Sequence, residues 1–241
     1  MNAPRTLSIR LAGETVTLDG DRALIVRDRL LVADVHLDKA ASFQRAGMAL
    51  PLGDEQRDLE RLAAIAARHG LTRITVLGDL VHAPPRRGGR TEETVLEWCH
   101  AHPALQLSVV LGNHDRDAAD RLAHWPVEWI TASAACRLGP FVLRHAPGGA
   151  GGYVREGAGD SSGEDADGFQ LAGHLHPTVR IGAGRADRMT LPVFWQRANA
   201  LVLPAFGRFT GGHRIEPGAE DCLWGVFEGC VLPLTDQARR R

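Results

Sequence analysis

Seven side chains able to hold a divalent cation occur in a fixed order along the 241-residue chain: Asp34 and His36, then Asp79, Asn113, His145, and finally His174 with His176. Each follows a short apolar run or sits in a glycine-marked turn, where side chains at strand ends can converge on one point. Asp34-Val35-His36 sets a carboxylate and an imidazole one residue apart, on the same side of an extended segment, so that both can chelate one ion. Gly78-Asp79 puts a carboxylate in a tight turn from which its two oxygens can bridge two ions, although alone it reads as an ordinary turn. Gly112-Asn113-His114-Asp115 combines an amide oxygen, an imidazole and a carboxylate after an apolar strand. Gly173-His174-Leu175-His176 repeats the alternate spacing with two imidazoles. Two ions about 3.5 to 4 Å apart in such a set clamp a phosphate and polarise a bridging water into hydroxide for in-line attack. Nitrogen and oxygen donors without thiolate suit Mn²⁺, Fe²⁺ or Zn²⁺ better than Mg²⁺ or Ca²⁺.

Strands must position these residues, and residues 30–33, 73–77 and 107–111 read as buried strands that each run into a motif. Between them the pattern predicts a helix over 55–69, with Asp54 as N-cap, Leu59, Leu62 and Ile65 on its apolar face and Gly70 as its stop. A second helix runs to His100, capped by Thr91 and closed by Pro103. Upstream, short strands turn at Ala12-Gly13 and Asp19-Gly20-Asp21. The second half predicts strands over 135–138, 141–144, 168–172, 178–181, 193–196, 200–203 and 223–227. This alternation implies an α/β fold, simplest as a sandwich of two sheets flanked by helices, with ligands at the carboxyl ends of its strands. One domain is expected over 1–241, with a Gly-rich acidic segment at about 148–168 as a mobile loop joining His145 to His174.

A chain that is 44% apolar can bury a sizeable core, and a net charge of −1 excludes a bulk electrostatic grip on nucleic acid while leaving room for a local basic face. Cys99, Cys136, Cys222 and Cys230 form no CxxC pair, so they read as reduced core thiols rather than a zinc ribbon or disulfide framework. No run approaches the roughly 18 apolar residues of a membrane span, and no signal-peptide pattern is present; a cytoplasmic protein is expected. Lys39 is the single lysine among 28 basic residues and lies three positions after His36, where its ammonium can act as a point charge on a phosphate.

The joint order DxH, GD, GNHD, H and GHxH, from Asp34 to His176, resembles the calcineurin-like metallophosphoesterase superfamily. That resemblance implies a four-layer sandwich of two central mixed β-sheets flanked by helices. It implies one metal held by Asp34, His36, Asp79 and His176, with Asp79 bridging to a second held by Asn113, His145 and His174, and it tilts the ion toward manganese. It gives His114 the role of contacting the phosphoryl group or protonating the leaving oxygen, with Asp115 orienting the His114 ring. The segments 33–39, 42–47 with Leu50-Pro51, 77–82 and 203–212 further resemble the bacterial ligase-associated DNA damage response endonucleases. Asp38 departs from that pattern, standing where glycine is commonly seen.

By resemblance to double-strand-break repair nucleases, His82 lies near the metals. Arg86, Arg87 and Arg90 make a candidate phosphate-contacting loop, and Phe206 and Phe209 are candidates for stacking on unpaired bases, with core packing as the other use. The reading is therefore a dimetal phosphodiesterase or endonuclease acting on DNA in repair, beside a ligase or helicase. A hydrolase of small phosphoesters with the same centre, or a non-catalytic interaction module on the same fold, are the alternatives.

Overall fold

Side chains alternate across the strands and so build two cores at once. In β4 (Arg29–Val32) Leu30 and Val32 join one cluster, while Leu31 and the next residue, Ala33, join another. The structure, a computed structural model, describes residues 3–39, 43, 54–131, 136–148, 168–182 and 188–235. Most of the 148–168 segment lies outside them.

The first sheet has seven strands in chain order: β1 (Thr6–Leu11), β2 (Glu14–Asp19), β3 (Ala23–Val26), β4, β5 (Arg73–Val76), β6 (Gln106–Val110) and β7 (Val127–Ile130). β1 to β4 are antiparallel and β4 to β7 parallel, so the sheet is mixed. The parallel part needs crossovers, and two of them are the helices α1 (Asp54–Arg68) and α2 (Arg90–Ala101). Leu59, Leu62 and Ile65 of α1 and Val95 and Trp98 of α2 pack with Leu30, Val32, Ile74 and Val76 on one face of the sheet. A short α3 (Arg116–Ala119) follows β6.

The second, nine-stranded sheet runs β14 (His213–Arg214), β11 (Pro177–Ile181), β12 (Met189–Arg197), β13 (Ala200–Val202), β10 (Phe169–Ala172), β9 (Phe141–Leu143) and β8 (Cys136–Leu138). β15 (Cys222–Phe227) pairs with β12 and with β16 (Cys230–Pro233). It is also mixed, since β10 runs parallel to β9 and β13. Leu31, Leu77 and Val110 of the first sheet meet Phe141, Leu171, Phe194 and Trp224 of the second in a shared core. Val193, Trp195, Val202 and Leu223 point the other way, and Ile215 joins them there. Among the described residues that outer face carries no helix. No described helix is long and apolar enough to cross a membrane.

Strands β7, β14 and β16 were not among those expected. β7 is an edge strand that stays half-exposed, so it lacks the apolar run of its neighbours. Thr91 is not a cap: the cap position falls on Gly89, and the Thr91 hydroxyl instead donates to Asp38 at 3.0 Å. Gly70 does stop α1, at φ 63°, with the Leu71 N–H reaching back to the Ala66 carbonyl at 2.8 Å. The four cysteines are unpaired.

The C-terminal end of α1 is pinned to the β2–β3 turn by Asp19. This fully buried carboxylate accepts from Arg68 at 3.0 Å and His69 at 2.8 Å, and from the Asp21 N–H at 2.9 Å. Burial pushes its pKa up, but the hydrogen bonds from His69, Asp21 and Arg68 outweigh that and hold it below the ordinary carboxylate value. A carboxyl group depressed in the folded state stabilises it above its unfolded pKa, and that stabilisation is lost as pH falls through the folded value. Asp19→Asn is expected to cost about 1–3 kcal/mol at neutral pH, and the gap to wild type should close on acidification. Urea unfolding of both proteins across the acid range checks this.

Candidate metal centre

The seven expected donors lie at the carboxyl edge of both sheets. Asp34, Asp79 and Asn113 follow β4, β5 and β6, while His145 and His174 follow β9 and β10, and His176 precedes β11. The Ala33↔Ala205 bridge stitches the two sheets at this edge, and the Leu37↔Val81 bridge joins the loops that follow β4 and β5. Backbone bonds from Asp34 N–H to the Gly78 carbonyl (3.1 Å) and from His36 N–H to the Asp79 carbonyl (2.9 Å) hold the loops side by side.

These loops are not extended. Asp34 (φ 55°), His36 (52°), Asp79 (55°), His174 (70°) and His176 (45°) are all left-handed, five of the eleven non-glycine residues with positive φ among those described. The expectation that Asp34 with His36, and His174 with His176, project from extended segments is therefore wrong. Alternating left-handed residues, rather than the pleat of a strand, aim each pair inward. Such backbone costs on the order of 1 kcal/mol per residue and clusters at functional sites. Glycine provides clearance: a Cβ on Gly112 would land on the Asp79 carboxylate, and one on Gly173 would fall 2.7 Å from Asp34 Oδ2.

Two donor groups result, Asp34–His36–His176 and Asp79–His145–His174, each with its ligating atoms within 4.8 Å of one another. Asp79 Oδ2 lies between them, 3.7 Å from His36 Nε2 and 3.6 Å from His145 Nε2. The His145 Nδ1–H donates to the Leu77 carbonyl (3.0 Å), which turns the Nε2 lone pair toward Asn113 Oδ1 (2.9 Å) and His174 Nδ1 (3.0 Å). His176 is set the same way, its Nδ1–H on the Gly211 carbonyl (3.1 Å) and its Nε2 3.2 Å from Asp34 Oδ1. Asp34 Oδ1 and both ring nitrogens of His36 are buried without a hydrogen-bond partner. Electron pairs that face one another in a buried site fit cations at their foci, and backbone carbonyls behind ligating histidines are the usual means of fixing the tautomer.

Burial, reinforced by Lys39 and the neighbouring His176, His114 and His82, pushes the His36 pKa down to about 2. Burial likewise lowers His174, with His145 adding to the effect. Both rings are thereby kept as neutral donors.

His114 and Asp115 do not pair as expected. The Asp115 carboxylate turns inward to accept the N–H groups of Asp79 (2.6 Å), Gly112 (3.0 Å) and Val81 (3.2 Å). Burial, with the Asp79 charge adding, raises its pKa to about 6 against those bonds. The His114 ring is oriented by the His82 carbonyl, at 2.7 Å from Nδ1. His82 stacks on His114 with centroids 4.9 Å apart. Arg86, Arg87 and Arg90 are exposed. Phe206 is a correction: it is fully buried, packed in the α1 core under the Arg61 guanidinium at 3.8 Å, and has no face to offer a base. Of the two phenylalanines Phe209 is the exposed one, at 38%.

Beside His36 opens a small, solvent-open cleft lined by Lys39, Asp54, Glu55, Arg208, Phe209 and Thr210 among others. Lys39 is half-buried, and its pKa is lowered by burial against the pull of Asp34 and Asp79. The acidic N-terminal turn of α1 was not anticipated as part of this cleft; its only sequence signal is Asp54-Glu55 opening an apolar helix. Asp38 sits at φ 67°, a conformation that glycine adopts without strain; here its N–H donates to Glu55 (3.1 Å) and its carboxylate receives Thr91.

No family model and no curated protein matches the chain. Among solved structures, the crystal structure of Pseudomonas putida nuclease MPE is 32% identical, covering 95% of this chain and 100% of that one at a TM-score of 0.75. YfcE, a phosphoesterase from E. coli, is 15% identical over 83% of this chain and 88% of its own, at a TM-score of 0.38, too distant to bear on the fold. The chain belongs to the metallophosphoesterase family that includes the Pseudomonas putida nuclease MPE.

Proposed function

We propose that the chain is a two-metal phosphodiesterase that cleaves nucleic acid, with DNA as substrate. The observation that carries the reading is Asp79 Oδ2 standing between two donor groups at the strand ends, in a chain 32% identical to a nuclease over 95% of its length. Asp34, His36, Asp79 and His176 would hold one ion, and Asp79, Asn113, His145 and His174 the other, with Mn²⁺ the preferred occupant and Fe²⁺ or Zn²⁺ acceptable. Such ions supply Lewis acidity toward the phosphate and a water acidic enough to ionise at neutral pH. His114, locked through Nδ1 to the His82 carbonyl, presents Nε2 to the phosphoryl oxygens, and Asp115 fixes the Asp79 and Gly112 turns behind it. Lys39 adds a point charge at the cleft, His82 steers the backbone, and exposed Arg86 and Arg87 suit neighbouring phosphates. The likeness of 33–39 and 203–212 to ligase-associated endonucleases supports a repair setting in the cytoplasm, beside a ligase or helicase.

With Mn²⁺ the purified protein should cleave single-stranded or gapped DNA, and Asp79→Asn should lose activity by on the order of 10²-fold or more together with bound metal. Hydrolysis of a small phosphodiester without any polynucleotide cleavage would reject the nuclease assignment. Gly112→Ala drives a methyl into the Asp79 carboxylate and should reduce bound metal and activity together, measured by metal analysis beside turnover. Asp115→Ala leaves three buried N–H groups without an acceptor and should destabilise the protein by at least about 3 kcal/mol in denaturant unfolding, at about 1 to 3 kcal/mol per orphaned donor.

A further inference from the structure

Beyond the two donor groups lies a third, made only of imidazoles. His36, His82 and His114 bring ligating nitrogens within 4.8 Å of one another. Their ring centroids are 5.5 Å apart for His36–His82, 5.1 Å for His36–His114 and 4.9 Å for His82–His114. The His82 Nδ1 and both nitrogens of His36 are buried with no hydrogen-bond partner. His114 has Nδ1 on the His82 carbonyl, so Nε2 is its donor. Phe43 stacks on His82 at 6.4 Å.

We propose that this histidine trio, which shares His36 with the Asp34 group, is an alternative, inhibitory site for a borderline-soft divalent cation, Zn²⁺ foremost. Three imidazoles and an open fourth position, for water or a phosphate oxygen, are a zinc donor set. The absence of carboxylate disfavours Mn²⁺, which stands below zinc in affinity for nitrogen donors and prefers oxygen-rich shells. Ligation at about 2.0–2.1 Å from each nitrogen requires the donors to draw together. His82 and His114 are only half-buried, and His114 keeps Nδ1 on the His82 carbonyl while Nε2 serves as its donor. Because His36 is shared with the Asp34 group, the trio fills when zinc is raised rather than holding a resident ion. Occupation takes the His114 nitrogen and draws His36 from the Asp34 group, so one ion disables both parts of the centre.

The inhibitory half rests on the dimetal reading above; the binding half does not. The test measures zinc bound per chain by equilibrium dialysis and metal analysis, for Mn²⁺-treated wild type, His82→Ala and the size-preserving His82→Gln, beside hydrolysis of a small chromogenic phosphodiester. Wild type should bind one zinc that both variants bind at least about tenfold more weakly, and half-inhibition should shift by the same factor. Equal zinc uptake and equal inhibition in all three would overturn the site, placing zinc in the Asp34 and Asp79 groups instead. Should the dimetal reading fail, turnover is absent with every metal, while the difference in zinc uptake still reports on the trio.

Discussion

Burial of Asp34 and Asp79 at the seam between the sheets, at 0% and 2% exposure, is the constraint on which the rest of the centre depends. A carboxylate removed from water needs a partner for each oxygen. In both residues one oxygen takes a backbone N–H from a loop on another element: Asp34 Oδ2 from His174, Asp79 Oδ1 from His114. The other oxygen faces imidazole nitrogens. Each carboxylate is thus half fastener and half ligand. The fastener half draws a donor-bearing loop into place, and the ligand half keeps a need that only a cation meets.

The same division accounts for the backbone. Loops that must both bond a neighbouring strand end and turn their side chains inward have no room for an extended path, so the chain passes through the left-handed region at donor after donor. Asp34 N–H and His36 N–H reach the Gly78 and Asp79 carbonyls while the intervening Val35 stays in the core. Packing on both sides holds that unfavourable conformation. The α1 core lies beneath Val35 and Leu37, and the intersheet core lies beneath Ala33 and Leu77.

The donors and the three parallel strands were legible because both leave local marks: apolar runs of four or five residues, then a polar turn of distinctive composition. Side-chain direction was not, because spacing says which residues end a strand but not how the loop then bends. Adjacent His114 and Asp115 look like a pair, yet the turn into α3 sends the carboxylate inward to three amides. Phe206 beside Gly207 looks like a presented aromatic, yet the Ala33–Ala205 bridge commits the next side chain to the α1 core. Thr91 looks like a cap, yet a partner 53 residues away, Asp38, claims its hydroxyl. In each case a long-range contact outweighed a local preference.

The donor groups and the cleft beside them are also held by different parts of the fold. The donors hang from strand ends of both sheets, whereas the cleft beside them is walled by α1 and the 206–210 loop. Those two walls are tied to each other: Arg61 covers the Phe206 ring and donates to its carbonyl, and the Arg208 N–H donates to Asp58 at 3.2 Å. Changes to the exposed positions of that unit, Phe209 above all, alter what lies against the centre without touching a donor. Lys39 is the link between the two, placed after His36 in the chain and in the wall of the cleft, so that one charge bears on His36 and on the cleft alike.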